Sequence, residues 1–268
     1  MIATTDGISL YTKNYLVPTA TASVLIVHGL GEHCERYAHV ANALNGIGAN
    51  VYTFDLRGHG KSEGESVLIK TIDEYRDDVK TVCRTIPTDK PLFIVGHSMG
   101  GLIVLHFLLL DQPTTIRGVV LSGPAIKEGT DINFFTKLIV QILGNIAPKL
   151  PTVKLKPESI SRDATEVQKY ISDPLIYIGG TKAGLGLALL KAIEAIKHRF
   201  ADFAYPVLVM HGEADKITNP EGSKEFYGQC KSQDKTLKIW EGAYHEIFNE
   251  TNKTEVIATM TDWVKARI

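Results

Sequence analysis

The chain has 268 residues, 44% of them hydrophobic and 22% charged, which is too apolar for a disordered segment and suits one large α/β domain. Its 29 Lys and Arg nearly balance 30 Asp and Glu, leaving a net charge of −1 with no concentrated basic stretch. A nucleic acid backbone is therefore excluded as a partner.

In chain order, short β-branched and leucine-rich runs alternate with segments of helical spacing. Val24–Val27 reads as a strand, Arg36–Leu44 as a helix, Val51–Phe54 as a strand and Ile72–Ile86 as a helix. Leu92–Val95, the helix Leu102–Leu110 and the strand Val119–Leu121 continue the pattern. It resumes with the strand Val207–Met210, the helix Lys224–Cys230, the strand Leu237–Trp240 and the helix Glu255–Val264. Such alternation predicts a mostly parallel central sheet with helices on both faces. Between Pro124 and Tyr205 the alternation stops, and helical segments follow one another without a convincing strand. A helical cap inserted at about residues 125–204 into a single domain is the expectation. The N-terminus lacks a basic segment followed by an apolar stretch and cleavage site, and the longest apolar run, Gly101 to Leu110, is broken by His106. Cys34, Cys83 and Cys230 have neither metal nor redox spacing. A cytoplasmic protein with reduced thiols and no membrane span is expected.

The pattern G-x-S-x-G occurs twice, as Gly60-Lys61-Ser62-Glu63-Gly64 and Gly96-His97-Ser98-Met99-Gly100. A serine hydroxyl needs a base to take its proton, and a tight strand-to-helix turn to present it. Only the second copy follows an apolar strand and leads into a helical run, so Ser98 is the expected nucleophile and Ser62 a loop residue. After the strand Val207–Met210 comes Asp215, and after Leu237–Trp240 comes His245, in the order acid then histidine that this turn requires. Glu213 and Asp173 are the rival acids. His39, His106 and His198, by contrast, lack such a position. A negative oxygen forming at the attacked carbonyl would be held by the Met99 N–H and by the Leu30 N–H of His28-Gly29-Leu30-Gly31. The three side chains supply nucleophile, base and acid, so no metal or organic cofactor is expected.

The segments His28-Gly29-Leu30-Gly31-Glu32-His33 with Arg36-Tyr37, Asp55-Leu56-Arg57-Gly58-His59-Gly60-Lys61-Ser62 and Gly96-His97-Ser98-Met99-Gly100-Gly101 resemble the monoacylglycerol lipase and lysophospholipase-like branch of the α/β hydrolases. Ser159-Ile160-Ser161-Arg162-Asp163, Asp173-Pro174-Leu175 and Tyr244-His245-Glu246 continue the resemblance over nearly the whole chain. It implies cleavage of a monoacylglycerol or related lipid ester into fatty acid and glycerol, with Glu32, Arg36 and His97 near the glycerol head group. Glu32 and Arg36 equally fit a role in holding the Leu30 loop. A lysophospholipase, a broad carboxylesterase and a non-catalytic binding protein are the competing readings; an aspartate-nucleophile dehalogenase is not, because the elbow carries Ser98. For a lipid substrate, the helix expected over Ile132 to Ile146, apolar except along Lys137, Gln141 and Asn145, is a candidate membrane contact and acyl-tunnel wall. Phe134, Phe135, Leu138, Ile139 and Ile142 are the candidates, with the inward face left open by periodicity.

Overall fold

Two short strands, Ile2–Ala3 (β1) and Ser9–Leu10 (β2), pair as a small antiparallel ribbon at the start of the chain in the computed structural model, which describes residues 1–129 and 133–268. There follow Thr12–Tyr15 (β3), Ala22–Val27 (β4), Ala38–Gly46 (α1), Ala49–Phe54 (β5), Ile72–Thr85 (α2), Leu92–His97 (β6), Met99–Asp111 (α3) and Ile116–Ser122 (β7). Next come Phe134–Ile146 (α4), Pro151–Lys154 (β8), Ala164–Ser172 (α5), Gly180–Lys182 (β9) and Ala183–Lys197 (α6). Val207–Gly212 (β10), Pro220–Gln229 (α7), Lys235–Trp240 (β11) and Lys253–Lys265 (α8) complete the chain.

Seven strands form the central sheet in the order β11-β10-β7-β6-β4-β5-β3, all parallel except the edge strand β3, which runs antiparallel to β5. Every residue of β4, β6 and β10 is buried, as expected of strands covered on both faces. Alternate side chains separate into two cores. Leu25, Val27 and Ile94 pack with α2, α3 and α6, whereas Val24, Ile26, Phe93 and Val95 pack with α1 and α8.

The structure departs from the sequence expectation at several places, among them the following. The expected helix Arg36–Leu44 begins as a 3-10 turn, Cys34–Tyr37, before α1. Between β7 and β10 the chain contains strands after all: β8 and β9 pair antiparallel, apart from the central sheet. The expected helix Ile132 to Ile146 starts at Phe134, and Ile132 lies outside the described residues. Among the described residues no helix is long and apolar enough to cross a membrane.

Candidate active site

Because β4, β6, β10 and β11 run parallel, the loops that follow them all emerge at one edge of the sheet. Ser98 occupies the turn between β6 and α3 with φ 53° and ψ −120°, a strained conformation for a residue with a side chain. The turn is possible only because its neighbours are small. A Cβ on Gly96 would lie 2.8 Å from the Gly101 Cα, and one on Gly100 would lie 2.2 Å from the Val27 carbonyl oxygen. The Ser98 N–H donates to the Ser122 carbonyl at 2.9 Å, tying the turn to the end of β7. Ser62 is held differently: its hydroxyl donates to the Asp55 carbonyl at 2.6 Å and accepts from the Tyr11 N–H at 2.8 Å.

His245 Nε2 lies 2.8 Å from Ser98 Oγ, and its Nδ1 lies 2.7 Å from Asp215 Oδ2. All three residues are buried. Asp215 Oδ1 accepts the backbone N–H groups of Ile217 and Thr218 at 2.8 and 3.0 Å. Its Oδ2 also faces the Thr218 hydroxyl at 2.9 Å and His211 Nε2 at 3.1 Å. Since a carboxylate only accepts, His211 presents an N–H to Asp215 from Nε2, while its Nδ1 lies 2.7 Å from the Ser223 hydroxyl. Burial opposes the charge of Asp215, yet the His245 charge and the hydrogen bonds from His211 and His245 hold its carboxyl well below the usual range. Burial likewise opposes protonation of His245, and the Asp215 carboxylate outweighs it and raises the imidazole above its ordinary 6.5. Glu213 is exposed and accepts from the Gly242 N–H, and Asp173 pairs with His33, so neither rival acid contacts His245 in this arrangement.

His211 and Thr218 escaped the sequence reading. Thr218 had a local signal, an Asp followed three residues later by Thr, which suits a turn closed by carboxylate-to-backbone bonds. His211 had none, because nothing in a strand end tells which way a ring turns.

The loop after β4 brings Gly29 so close that a Cβ there would lie 3.1 Å from Ser98 Cβ. The Leu30 and Met99 N–H groups have no protein acceptor among the described residues. Glu32 and Arg36 lie behind this loop. Glu32 Oε1 accepts from the Gly29 N–H at 2.6 Å and from the Tyr37 hydroxyl at 2.7 Å, and its Oε2 accepts from Arg36 at 2.6 Å. Arg36 donates both ways, also reaching Glu246 beside His245 at 2.7 and 2.8 Å. Burial disfavours the Glu32 carboxylate, but the Arg36 guanidinium together with the neighbouring His97 and His28 rings and the Tyr37 hydroxyl outweighs it and holds the group down to about 2. His97 stacks beside the His245 ring at 4.8 Å between centroids, and burial together with that neighbour pushes its imidazole down to about 4. None of Glu32, Arg36 and His97 lines the cavity above Ser98. Of the two roles open to Glu32 and Arg36, the contacts observed are those that hold the loop.

That cavity, about 370 Å³, opens from Ser98 and is walled by Leu30, Met99, Val140, Leu189, Ile193 and Ile217. Among the described residues, five lysines, Lys127, Lys137, Lys154, Lys156 and Lys216, also border it, against one carboxylate, Glu128, which pairs with Lys137 at 2.7 Å. From α4 only Thr136, Lys137 and Val140 reach it. Phe134, Phe135, Leu138, Ile139 and Ile142, expected as possible tunnel wall, face outward and are 41 to 72% exposed. The polar line Lys137, Gln141 and Asn145 borders a groove between α4 and α6.

Comparison with known proteins places this arrangement. Residues 18–252 match the family described as "Serine aminopeptidase, S33". The chain is 34% identical to a monoacylglycerol lipase of Mycolicibacterium smegmatis over 91% of its length and 88% of the relative's. It is 34% identical to the human monoglyceride lipase over 98% of its length and 88% of that protein's. The crystal structure of the Paleococcus ferrophilus monoacylglycerol lipase, 34% identical, superposes with a TM-score of 0.89 over 97% of this chain and 100% of that one. The chain therefore belongs to this serine hydrolase family, within its monoacylglycerol lipase-like group of α/β hydrolases.

Proposed function

We propose that the protein hydrolyses the ester of monoacylglycerols, with Ser98 as nucleophile, His245 as base and Asp215 as the group that orients the base. Ser98 Oγ attacks the acyl carbon while its proton passes to His245 Nε2. The N–H groups of Leu30 and Met99 receive the oxygen that becomes negative. Collapse releases glycerol, which takes the proton from His245, and water then attacks the acyl-enzyme by the same route. One observation carries the choice of substrate: an apolar cavity opens directly on Ser98. An aminopeptidase would need a free carboxylate there for the substrate's terminal ammonium, whereas among the described residues the carboxylate at the cavity, Glu128, is paired and lysines dominate the border. The test compares turnover of monoacylglycerols, diacylglycerols, lysophospholipids, nitrophenyl esters and aminoacyl amides side by side. Monoacylglycerols are expected to give the highest kcat/KM. A preference for lysophospholipids or for amides would overturn the assignment.

Activity should fall as the pH drops through the His245 ionisation, because the imidazolium cannot accept the serine proton. Since Asp215 raises that ionisation, the acid limb of kcat/KM is expected to bend above pH 6.5. A bend well below that value in a pH profile would mean that another group titrates.

In this reading residues 125–204 form a cap, and the outward face of α4 rests on the lipid surface that holds the substrate. Phe134, Phe135, Ile139, Ile142 and Ile146, all more than half exposed, form a continuous apolar face suited to it. Phe135→Ser combined with Ile139→Ser should lower turnover of long-chain monoacylglycerol in vesicles by roughly tenfold or more, following the lost apolar burial. Hydrolysis of a short soluble ester should stay within about twofold, because the change does not reach Ser98. Equal losses on both substrates would remove the case for a docking face.

A further inference from the structure

Leu30 lies between two glycines, and each is pinned by a different part of the molecule. The Gly29 N–H is held by Glu32 Oε1 at 2.6 Å, a contact within the loop itself. The Gly31 carbonyl accepts from the Tyr177 N–H at 2.7 Å, and Tyr177 belongs to the cap, between α5 and β9. This contact needs glycine at its other side. Gly31 has φ +74°, and a Cβ there would lie 3.0 Å from the Tyr177 carbonyl oxygen.

The same cap turn grips the loop a second time. The ring of His33 is buried, and its Nδ1 has no polar partner among the described residues. Its polar contact is Nε2–H donating to Asp173 Oδ2 at 2.9 Å. Asp173 uses its other oxygen to accept the Leu175 N–H at 2.9 Å, and its carbonyl accepts the Ile176 N–H at 3.2 Å. Those two bonds fold the turn that delivers the Tyr177 N–H to Gly31. One side chain thus shapes the cap turn and fastens it to the loop on which Leu30 lies.

We infer that Asp173 is a positioning residue for the oxyanion hole, acting through His33 and the Tyr177–Gly31 contact, so that the seat of the cap sets where the Leu30 N–H points. The inference rests on the reading of Leu30 as an oxyanion donor in a Ser98 hydrolase. An oxyanion donor acts through its aim, and a displacement of about 1 Å costs on the order of 100-fold in rate. Glu32 and the His28 ring hold the Gly29 flank of Leu30, whereas the Gly31 carbonyl is held by the cap, so loss of the cap's grip frees one flank of the donor and reaches the chemistry as well as the stability of the cap.

The experiment uses the full-length protein and p-nitrophenyl butyrate, a soluble ester too short to depend on acyl contacts in the cap. Asp173→Ala is expected to lower kcat on the order of 10- to 100-fold, with KM changed less than about threefold. Asp173→Asn can keep its oxygen on the Leu175 N–H and turn its NH2 to His33, whose ring then accepts at Nε2 with its proton on the otherwise unpartnered Nδ1, and should recover part of the loss. A trifluoromethyl ketone, whose adduct with Ser98 places an oxyanion in the hole, should bind Asp173→Ala more weakly by the same factor as kcat/KM. The affinity for free oleate should stay the same, which a merely loosened cap would not produce. If Asp173→Ala does not fold, His33→Ala carries the same measurements from the other side of the contact. Full kcat in the folded variant, or equal losses of ketone and oleate affinity, would overturn the inference. Ser98→Ala in parallel separates the two levels: an active Ser98→Ala sinks the reading of the site, whereas an inactive one beside a fully active Asp173→Ala sinks this inference alone.

Discussion

Ser98→Ala should reduce turnover by on the order of 10⁵-fold while leaving the protein folded, and Ser62→Ala should leave it within about twofold. The two serines share a sequence pattern and differ in what surrounds them. Ser98 Oγ is 2.8 Å from His245 Nε2, on a turn whose positive φ exposes it to the cavity. Ser62 spends its hydroxyl on the Asp55 carbonyl and the Tyr11 N–H, so losing it costs about 1 kcal/mol of stability and no chemistry. His245→Ala should be as damaging as Ser98→Ala, and the double variant little worse, since neither group works without the other. Steady-state kinetics together with labelling by a fluorophosphonate check this directly. An active, unlabelled Ser98→Ala beside a dead Ser62→Ala would move the nucleophile to the other copy of the pattern.

The sheet was readable from sequence because its central strands are covered on both faces. Val24–Val27, Leu92–Val95 and Val207–Met210 are continuous apolar runs for that reason. The elbow was readable because its glycines are forced by backbone contacts that no other residue tolerates. What stayed hidden lacks a local cause. β3 reads Thr-Lys-Asn-Tyr and β8 reads Pro-Thr-Val-Lys, with no apolar alternation and little apolar content, and each is paired with a strand distant in sequence that offers hydrogen bonds. The face that α4 turns inward follows from Val140 meeting Gly186 on α6, where a Cβ would lie 2.9 Å from Val140 Cγ1. A periodic pattern that is apolar nearly all round cannot foretell it.

The ion network behind the site was hidden for the same reason. Arg36 joins Glu32 on the Leu30 loop to Glu246 beside His245. Glu246 in turn donates its backbone N–H to the Ile160 carbonyl in the cap at 2.7 Å. Sequence resemblance could mark Glu32 and Arg36 as important without separating substrate contact from scaffolding. The partners that the structure gives both Glu32 oxygens and the Arg36 guanidinium are protein groups.

Asp215→Asn should lower kcat by about 10⁴-fold, nearly as much as loss of the base itself. The carboxylate is surrounded by donors on both oxygens: Ile217 and Thr218 N–H on Oδ1, His245 Nδ1 and His211 Nε2 on Oδ2. An amide has only one oxygen, so whichever way it turns its NH2 meets donors. If the NH2 faces the imidazoles, His245 is driven to accept at Nδ1 and to carry its proton on Nε2, where it cannot receive one from Ser98. If the oxygen faces them, the NH2 opposes two backbone N–H groups that are fixed by the loop, and the negative charge that stabilises the imidazolium is absent in either case. Glu213→Gln, which changes an exposed carboxylate bonded to the Gly242 N–H, should stay within about threefold of the parent enzyme. The acid limb of the pH profile gives a second reading: without the Asp215 charge any residual activity should bend at lower pH, because the carboxylate is what raises the His245 ionisation. Near-full activity in Asp215→Asn, or a collapse in Glu213→Gln with Asp215→Asn intact, would reassign the orienting acid.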